Sequence, residues 1–317
     1  MNMSSQGRWT IERIEDPAIR TLEVWREDFG DILPGAAGRL LYQAVGSQRL
    51  DALRAQCASA RVASETLGRD LARSIRLLLD RDFGGAGCAR AVWLGGGLLN
   101  SEGVREALLN AGLPIPVIIS DDPTFCAAPG GRQLLAQHGD GRGVVVDVGQ
   151  TSIKGIAFAR GRARQLVFPR DHHSLPLRLQ ERSELLEPGQ SHLFIERAAG
   201  FIARAVFSFG SVREPPPPLL VLALPTTLSS DGTPQGCTYP GWEGSTELVP
   251  RIATQLDEWI QADHGHPWRN VPGRILLLND AELAARSARL NATVAASGKV
   301  LVMTVGFGPG AALLSLA

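Results

Sequence analysis

Four apolar runs in this chain break off abruptly into glycine, aspartate or hydroxyl side chains, and those junctions constrain its fold more than anything else. Residues 144–155 read VVVDVGQTSIKG: a strand ending in Asp147, a turn at Gly149, hydroxyls at Thr151 and Ser152, then Lys154. Residues 301–312, LVMTVGFGPGAA, form a second strand running into Gly306, Gly308 and Gly310. Between them, RILLLNDAELAA ends a strand at Asn279-Asp280 and opens a helix. The fourth, AVWLGGGLLNSEGVREALL at 91–109, lies far upstream and sets Gly95, Gly96 and Gly97 between a strand and a helix. Strands that feed helices through such turns belong to an α/β architecture.

A chain of 317 residues has room for two lobes, each with its own core. Formal net charge is zero, so nothing in the total favours nucleic acid or an anionic membrane. The cysteines (Cys57, Cys88, Cys126 and Cys237) are widely spaced without a CxxC pair, which argues against a zinc site. MNMSSQGRW is not a signal sequence, and no apolar stretch is long enough to span a bilayer, so a reducing cytoplasm is the expected location.

Helical spacing runs through 36–80, with Leu67, Leu71, Ile75, Leu78 and Leu79 on one face, and is expected to stop near the glycines of 83–87. A strand at 91–94, a helix at 101–111, a strand at 116–120 and a helix at 130–137 follow, the alternation of βαβ units. QHGDGRG at 137–143 is the expected joint between lobes. Beyond it come strands in VVVDV, KGIAFAR and RQLVFPR, an irregular polar segment at 171–190 and a helix at 196–210. A rigid PPPP leads into the strand LLVLALP, followed by a loop at 229–243 and an amphipathic helix at 245–262.

Each junction has a functional and an ordinary use. A hairpin tip at Gly149, Thr151 and Ser152 can turn N–H groups and hydroxyls toward a phosphate, with Asp147 holding Mg²⁺ through water and Lys154 adding charge. The same residues also make a plain glycine hairpin. Gly306, Gly308 and Gly310 admit a phosphate close to the backbone, or form a bulge. Asp280 can cap its helix or act as a general base. Gly95–Gly97 can be a dinucleotide turn, but it is not GxGxxG, and no acid is expected at the end of the next strand. His172, His173, His192, His264 and His266 lack ligand spacing and read as solvated loop residues.

Together these elements resemble the actin/Hsp70/sugar-kinase (ASKHA) superfamily, and within it the ROK family of sugar kinases. DVGQTSIKG is similar to that family's first phosphate motif and VLVMTVGFGPGAALL to its second. LLVLALPTTLSSDG with the later TYPGW resembles its strand–Pro turn and Pro-Gly-Trp, and LLLNDAELAA resembles the motif carrying its catalytic base. The adenosine-like piece, VWLGGGLLN through AAPGGRQLL at 91–135, precedes the others although the family places it last, so the resemblance implies circular permutation. The expected fold is a bilobal, ribonuclease H-like/actin-like α/β ATPase. Residues 1–140 would form the second lobe, completed by 299–317, and 141–317 the first lobe ending in the second phosphate motif.

The resemblance implies an ATP-dependent, Mg²⁺-assisted phosphotransferase acting on a sugar-like hydroxyl, with Asp280 as base and Asn279 touching the sugar. Cofactor contacts are implied for Asp147, Gly149, Gln150, Thr151, Lys154, Gly306, Gly308, Gly95, Gly96, Gly97 and Gly130, with Mg²⁺ at Asp147. A small-molecule substrate is the expected partner, with nucleic acid and membrane excluded and a homodimer left open. The chain departs from the family pattern at several places. Gln150 stands at a usual glycine, Phe307 at a usual threonine, Pro309 lacks an N–H, and Pro225-Thr226-Thr227 replaces Pro-Gly-Pro. No Glu-x-Gly-His or Cys-rich zinc motif occurs. A catalytically degenerate nucleotide- or sugar-binding regulator is the alternative, and another small-molecule ATPase of the superfamily is the third.

Overall fold

A computed structural model of the chain describes residues 3–22, 47–80, 88–149, 152–169, 190–210, 215–235, 241–306 and 309–316. The strands are β1 (Met3–Gln6), β2 (Trp9–Arg13), β3 (Ile19–Leu22), β4 (Ala91–Gly95), β5 (Val117–Ile119), β6 (Gly143–Val148) and β7 (Ser152–Ala159). They continue with β8 (Arg162–Pro169), β9 (Leu219–Leu224), β10 (Thr227–Leu228), β11 (Pro234–Gln235), β12 (Gly273–Asn279), β13 (Lys299–Val305) and β14 (Pro309–Ser315). The chain divides into two compact units. One comprises Met1–Glu15 with Gly131–Asp280, the other Asp16–Gly130 with Ala281–Ala317.

The first unit is built on a seven-stranded sheet in the order β1-β2-β12-β9-β6-β7-β8. β2, β12, β9 and β6 run parallel, while β7 is antiparallel to β6 and β8 to β7. Parallel strands covered on both faces need unbroken apolar sequence, and all six residues of β9, LLVLAL, are buried. The Gln190–Gly210 and Leu248–Ala262 helices contribute Ile202, Val206, Phe209, Ile252 and Leu256 to the same core as β6 and β9. Close approach of strand and helix explains Gly155, where a Cβ would stand 2.4 Å from the Phe209 ring. Trp9, Trp242 and Trp268 are fully buried in this unit, and Trp268 Nε1 donates to the Pro216 carbonyl at 2.7 Å. The proline run therefore anchors the entry to β9.

The second unit has a five-stranded sheet in the order β3-β14-β13-β4-β5. β13, β4 and β5 are parallel, β14 is antiparallel to β13, and β3 to β14. The Ala60–Asp80 helix buries Leu67, Leu71, Ile75 and Leu78, as their spacing predicts, and exposes Arg69, Arg73 and Arg76. Leu67, Leu71, Ile75 and Leu78 share a core with Val92, Leu94, Leu301 and Met303 of the sheet.

The two sheets share one order. Counting β6, β7, β8, β9 and β12 as first to fifth gives third-second-first-fourth-fifth across the first sheet. Starting the count at β13 and β14 and continuing with β3, β4 and β5, which come earlier in the chain, gives the same order across the second. Among these five strands of each sheet only the second is antiparallel to the rest; in the first sheet β2 (parallel) and β1 (antiparallel) extend the order beyond the fifth strand.

Some boundaries differ from the sequence expectation. The unit borders fall at 130/131 and 280/281 instead of 140, and residues up to Glu15 join the 131–280 unit because β2 adds to the edge of β12. β1, β2 and β3 had no counterpart in the sequence reading, and the expected 229–243 loop contains β11, which pairs with β10 just before it. The expected features at 36–46, 83–87 and 171–189, with His172 and His173, lie outside the described residues, as do Gln150, Thr151, Phe307 and Gly308. No helix among the described residues is long and apolar enough to cross a membrane.

Candidate functional site

In the first unit, the carboxyl ends of β6, β9 and β12 lie level. Asp147 is paired in register with Ala223, and Asn279 with Leu224. This brings Asp147, the turn at Thr226 and the Asn279-Asp280 junction to one sheet edge, the usual ligand edge of a parallel sheet. Lys154 faces Asp147 across the β6–β7 hairpin, with Nζ 3.5 Å from Oδ2 and both side chains more than four-fifths covered. The Gly149 N–H donates to the Ser152 carbonyl at 3.0 Å, and a Cβ there would lie 2.9 Å from the same oxygen. Gly149 thus shapes the tip, its own N–H being used in the hairpin.

Asn279 is 4% exposed, and its Nδ2 donates to the Thr226 carbonyl at 2.8 Å and faces the Leu224 carbonyl at 3.5 Å. Its amide ties the end of β12 to the turn after β9, so this donor serves the scaffold. Thr226, buried at 4% exposure, sends its hydroxyl to the Gln235 carbonyl at 3.1 Å and so fastens the β10–β11 hairpin. Sequence reading noted Thr226 only as a departure from a motif, and no local signal marks this structural role. Asp280 is half-buried and is the first residue of the Asp280–Arg289 helix, where the helix dipole favours a carboxylate.

The second unit presents its own carboxyl edge. Gly95 and Gly96 are buried, Gly97 is exposed, and Gly306 is half-buried just past β13. A Cβ on Gly95 would lie 2.4 Å from Cys126 Sγ, and one on Gly96 (φ 107°) 2.2 Å from the Val305 carbonyl. On Gly130 it would stand 2.8 Å from the Leu283 carbonyl, and the Gly130 N–H donates to Ser287 Oγ at 2.8 Å. Packing therefore accounts for three of the four glycines expected at the adenosine-like motif. Gly97 is the exception, since nothing lies within 4 Å of its would-be Cβ. One expectation is corrected: β5 lies parallel to β4, and Ser120, Asp121 and Asp122 follow its last residue. Acids do stand past the strand that follows the glycine turn. The sequence carried the signal in VIISDD, but the relevance of those acids depends on which strand lies beside β4.

Two titratable groups, the part-buried Asp16 and the buried His266, complete the electrostatics. Burial alone would raise the Asp16 carboxyl. The hydrogen bond from Arg289, the Ala18 N–H and the charge of Arg286 outweigh that and hold it below its ordinary value. Arg289 Nη1 lies 2.9 Å and Arg286 Nη1 3.5 Å from Asp16 Oδ2. His266 is a second correction, being 4% exposed, stacked on Phe207 and edge-on to Trp268 instead of solvated. Its Nδ1 accepts the Trp268 N–H at 3.2 Å, and burial pushes the imidazole below its ordinary pKa, with Arg8 adding to the effect against Asp263. His264 is exposed in a loop as expected, and His192 is exposed but lies in the Gln190–Gly210 helix. Among the described residues no group of three or more His, Cys, Asp or Glu is placed to hold a metal ion.

The described chain is thus a mixed α/β protein whose expected site residues, where described, fall at or near the carboxyl edges of two sheets, with Gly130 set in a helix contact. Comparison with protein-family models, curated proteins and solved structures found no match to the chain.

Proposed function

We propose that this protein is an ATP-dependent phosphotransferase of ROK-like, ASKHA type, acting on a hydroxyl of a sugar or similar small molecule, with its halves in circularly permuted order. The observation that carries the proposal is the strand order common to five strands of each sheet. A bilobal ATPase of two related halves is what the motif resemblance implies. Permutation is supported by β3, which pairs with β14 (Leu314 with Ile19) and whose Ala18 carbonyl accepts the Ser315 N–H at 2.7 Å. These two strands are neighbours in the sheet, yet β3 stands near one end of the chain and β14 near the other, with β4 to β13 between them.

Bound Mg-ATP would supply the transferable phosphoryl group and the divalent charge that neutralises it. The residues present fit that group. One carboxylate, Asp147, suits a magnesium ion that keeps most of its waters and takes phosphate oxygens as ligands. Lys154, beside Asp147 at 3.5 Å, would share its charge with a phosphate. Gly97 offers open backbone in the second unit, and Gly306 follows β13 there. Asp280 would accept the proton of the acceptor hydroxyl. The rest of such catalysis is positioning and charge stabilisation.

A nucleotide- or sugar-binding regulator without turnover is the second reading, favoured by the commitment of the Asn279 amide to backbone carbonyls. Thermal shift with Mg-ATP, with and without a panel of sugars, followed by a turnover assay, separates the two. Stabilisation with turnover, lost in Asp280→Asn while ATP binding persists, supports the kinase. Stabilisation without turnover on any acceptor supports the regulator. Failure of millimolar Mg-ATP to stabilise the protein would remove the kinase reading.

A further inference from the structure

We propose that the carboxyl edge of the second unit reads the ribose of a nucleotide. Asp121, on the segment whose backbone is bonded to Gly96, would accept hydrogen bonds from the vicinal hydroxyls and select a ribonucleotide over its deoxy counterparts. This rests on the nucleotide-binding reading above and goes further by naming the group that recognises the sugar.

The placement comes from a compact βαβ unit. β4 ends in Gly95-Gly96-Gly97, the chain passes through the Glu102–Leu109 helix, and β5 returns parallel to β4 with Leu94 opposite Ile119. Two backbone bonds tie the segment after β5 to the glycine turn: Ser120 N to Leu94 O at 2.9 Å and Gly96 N to Pro123 O at 2.7 Å. Asp121 sits between those anchors. A glycine turn after one strand, with an acid past the next, is the arrangement by which open α/β sheets hold a nucleotide and its ribose.

The neighbouring polar groups are used by the fold. Asp122 Oδ1 accepts the Phe125 N–H at 3.1 Å, and Asn100 Nδ2 donates to Thr124 Oγ1 at 2.6 Å. Asp121, by contrast, is exposed and has no hydrogen-bond or ion-pair partner among the described residues. Gly97, on the same edge, leaves its surroundings open. Charge decides which part of a nucleotide fits. Two adjacent carboxylates repel a phosphate, whereas an acceptor-only group with two oxygens complements a diol that has two donors. Asp121 therefore receives the neutral sugar, and the phosphates lie away from the two acids.

The test is isothermal titration of the full chain with Mg-ATP, 2′-deoxy-ATP and 3′-deoxy-ATP, for the parent, Asp121→Ala, Asp121→Asn and Asp147→Asn. The parent should bind ATP about ten-fold or more tighter than either deoxy form, as loss of a charge-assisted hydrogen bond requires. Asp121→Ala and Asp121→Asn should narrow that preference to about two-fold, mainly by weakening ATP, with the unliganded melting temperature unchanged at this exposed position. Asp147→Asn should weaken all three ligands and keep the preference. Equal binding of the three nucleotides by the parent, or a preference that survives Asp121→Ala, overturns the ribose assignment while leaving nucleotide binding intact. No binding of any nucleotide overturns both.

Discussion

Replacing Asn279 by alanine should destabilise the first unit well beyond what a surface change does. The substitution strands the Thr226 carbonyl, which now receives the Asn279 amide at 2.8 Å, and removes the polar neighbour of the Leu224 carbonyl at 3.5 Å. At 4% exposure water does not reach the gap freely. A buried carbonyl left unsatisfied costs about 1–3 kcal/mol, and the missing amide volume adds to this, so about 2–4 kcal/mol is expected. Asn279→Asp is the sharper variant. A carboxylate cannot donate and would press its charge on both carbonyls, so its penalty at neutral pH should exceed that of alanine. Protonation restores a donor, and a carboxyl raised by these neighbours should regain stability as pH falls. Urea unfolding read by tryptophan emission suits the measurement, because Trp9, Trp242 and Trp268 are buried in this unit. A loss below about 0.5 kcal/mol for Asn279→Ala, the range of surface changes, would refute the strut and return the amide to the pool of ligand-binding groups. So would an Asn279→Asp variant whose stability ignores pH.

Gly96→Ala should abolish soluble folding or cost more than about 3 kcal/mol, because a side chain at φ 107° would drive into the Val305 carbonyl; Gly97→Ala, with open space around it, should shift the melting temperature little. Asp16→Asn should cost about 1–3 kcal/mol at pH 7 by weakening the pairs with Arg289 and Arg286. The depressed Asp16 carboxyl stabilises the fold above its unfolded value near 3.8, and that share is lost as pH drops through its lower folded value. Acid melts of Asp16→Asn should lack this component. For His266 the folded pKa lies below 6.5, so the unfolded chain binds the extra proton and stability declines as pH falls from 6.5 toward the folded value. His266→Phe, less stable overall for want of the Trp268 N–H acceptor, should show a flatter melting curve against pH in that window.

Much of the secondary structure is written locally. β4, β6, β9, β12 and β13 are apolar nearly throughout because both faces are covered; β9 stops before Pro225, and the others end where glycine or aspartate appears. The Ala60–Asp80 helix declares its buried face by spacing alone. β2 does not declare itself. Its Glu12 and Arg13 are buried and look unsuited to a sheet interior until Arg274 meets Glu12 at 2.8 Å. His266 misleads for the same reason: its polar, glycine-flanked sequence says solvent, whereas Phe207 and Trp268 close over it from other segments.

By itself, the sequence determined where β4, β6, β9, β12 and β13 stop, which helix faces are apolar, and that Asp147, Asn279, Asp280, Gly95, Gly149 and Gly306 stand at or just past strand ends. Those are matters of period and of residues a few positions apart. Only the tertiary structure decided which strands are neighbours, and so that the two sheets repeat one order and that β3 lies against β14. It also decided which polar groups are already consumed. Gly149 and Asn279 give their donors to backbone carbonyls, and Gly96 has no room for a side chain, while Gly97 stays open and Asp121 has no partner among the described residues. The physical reason is that strand pairing and burial of polar groups are contracts between distant segments, whose partners no local pattern names.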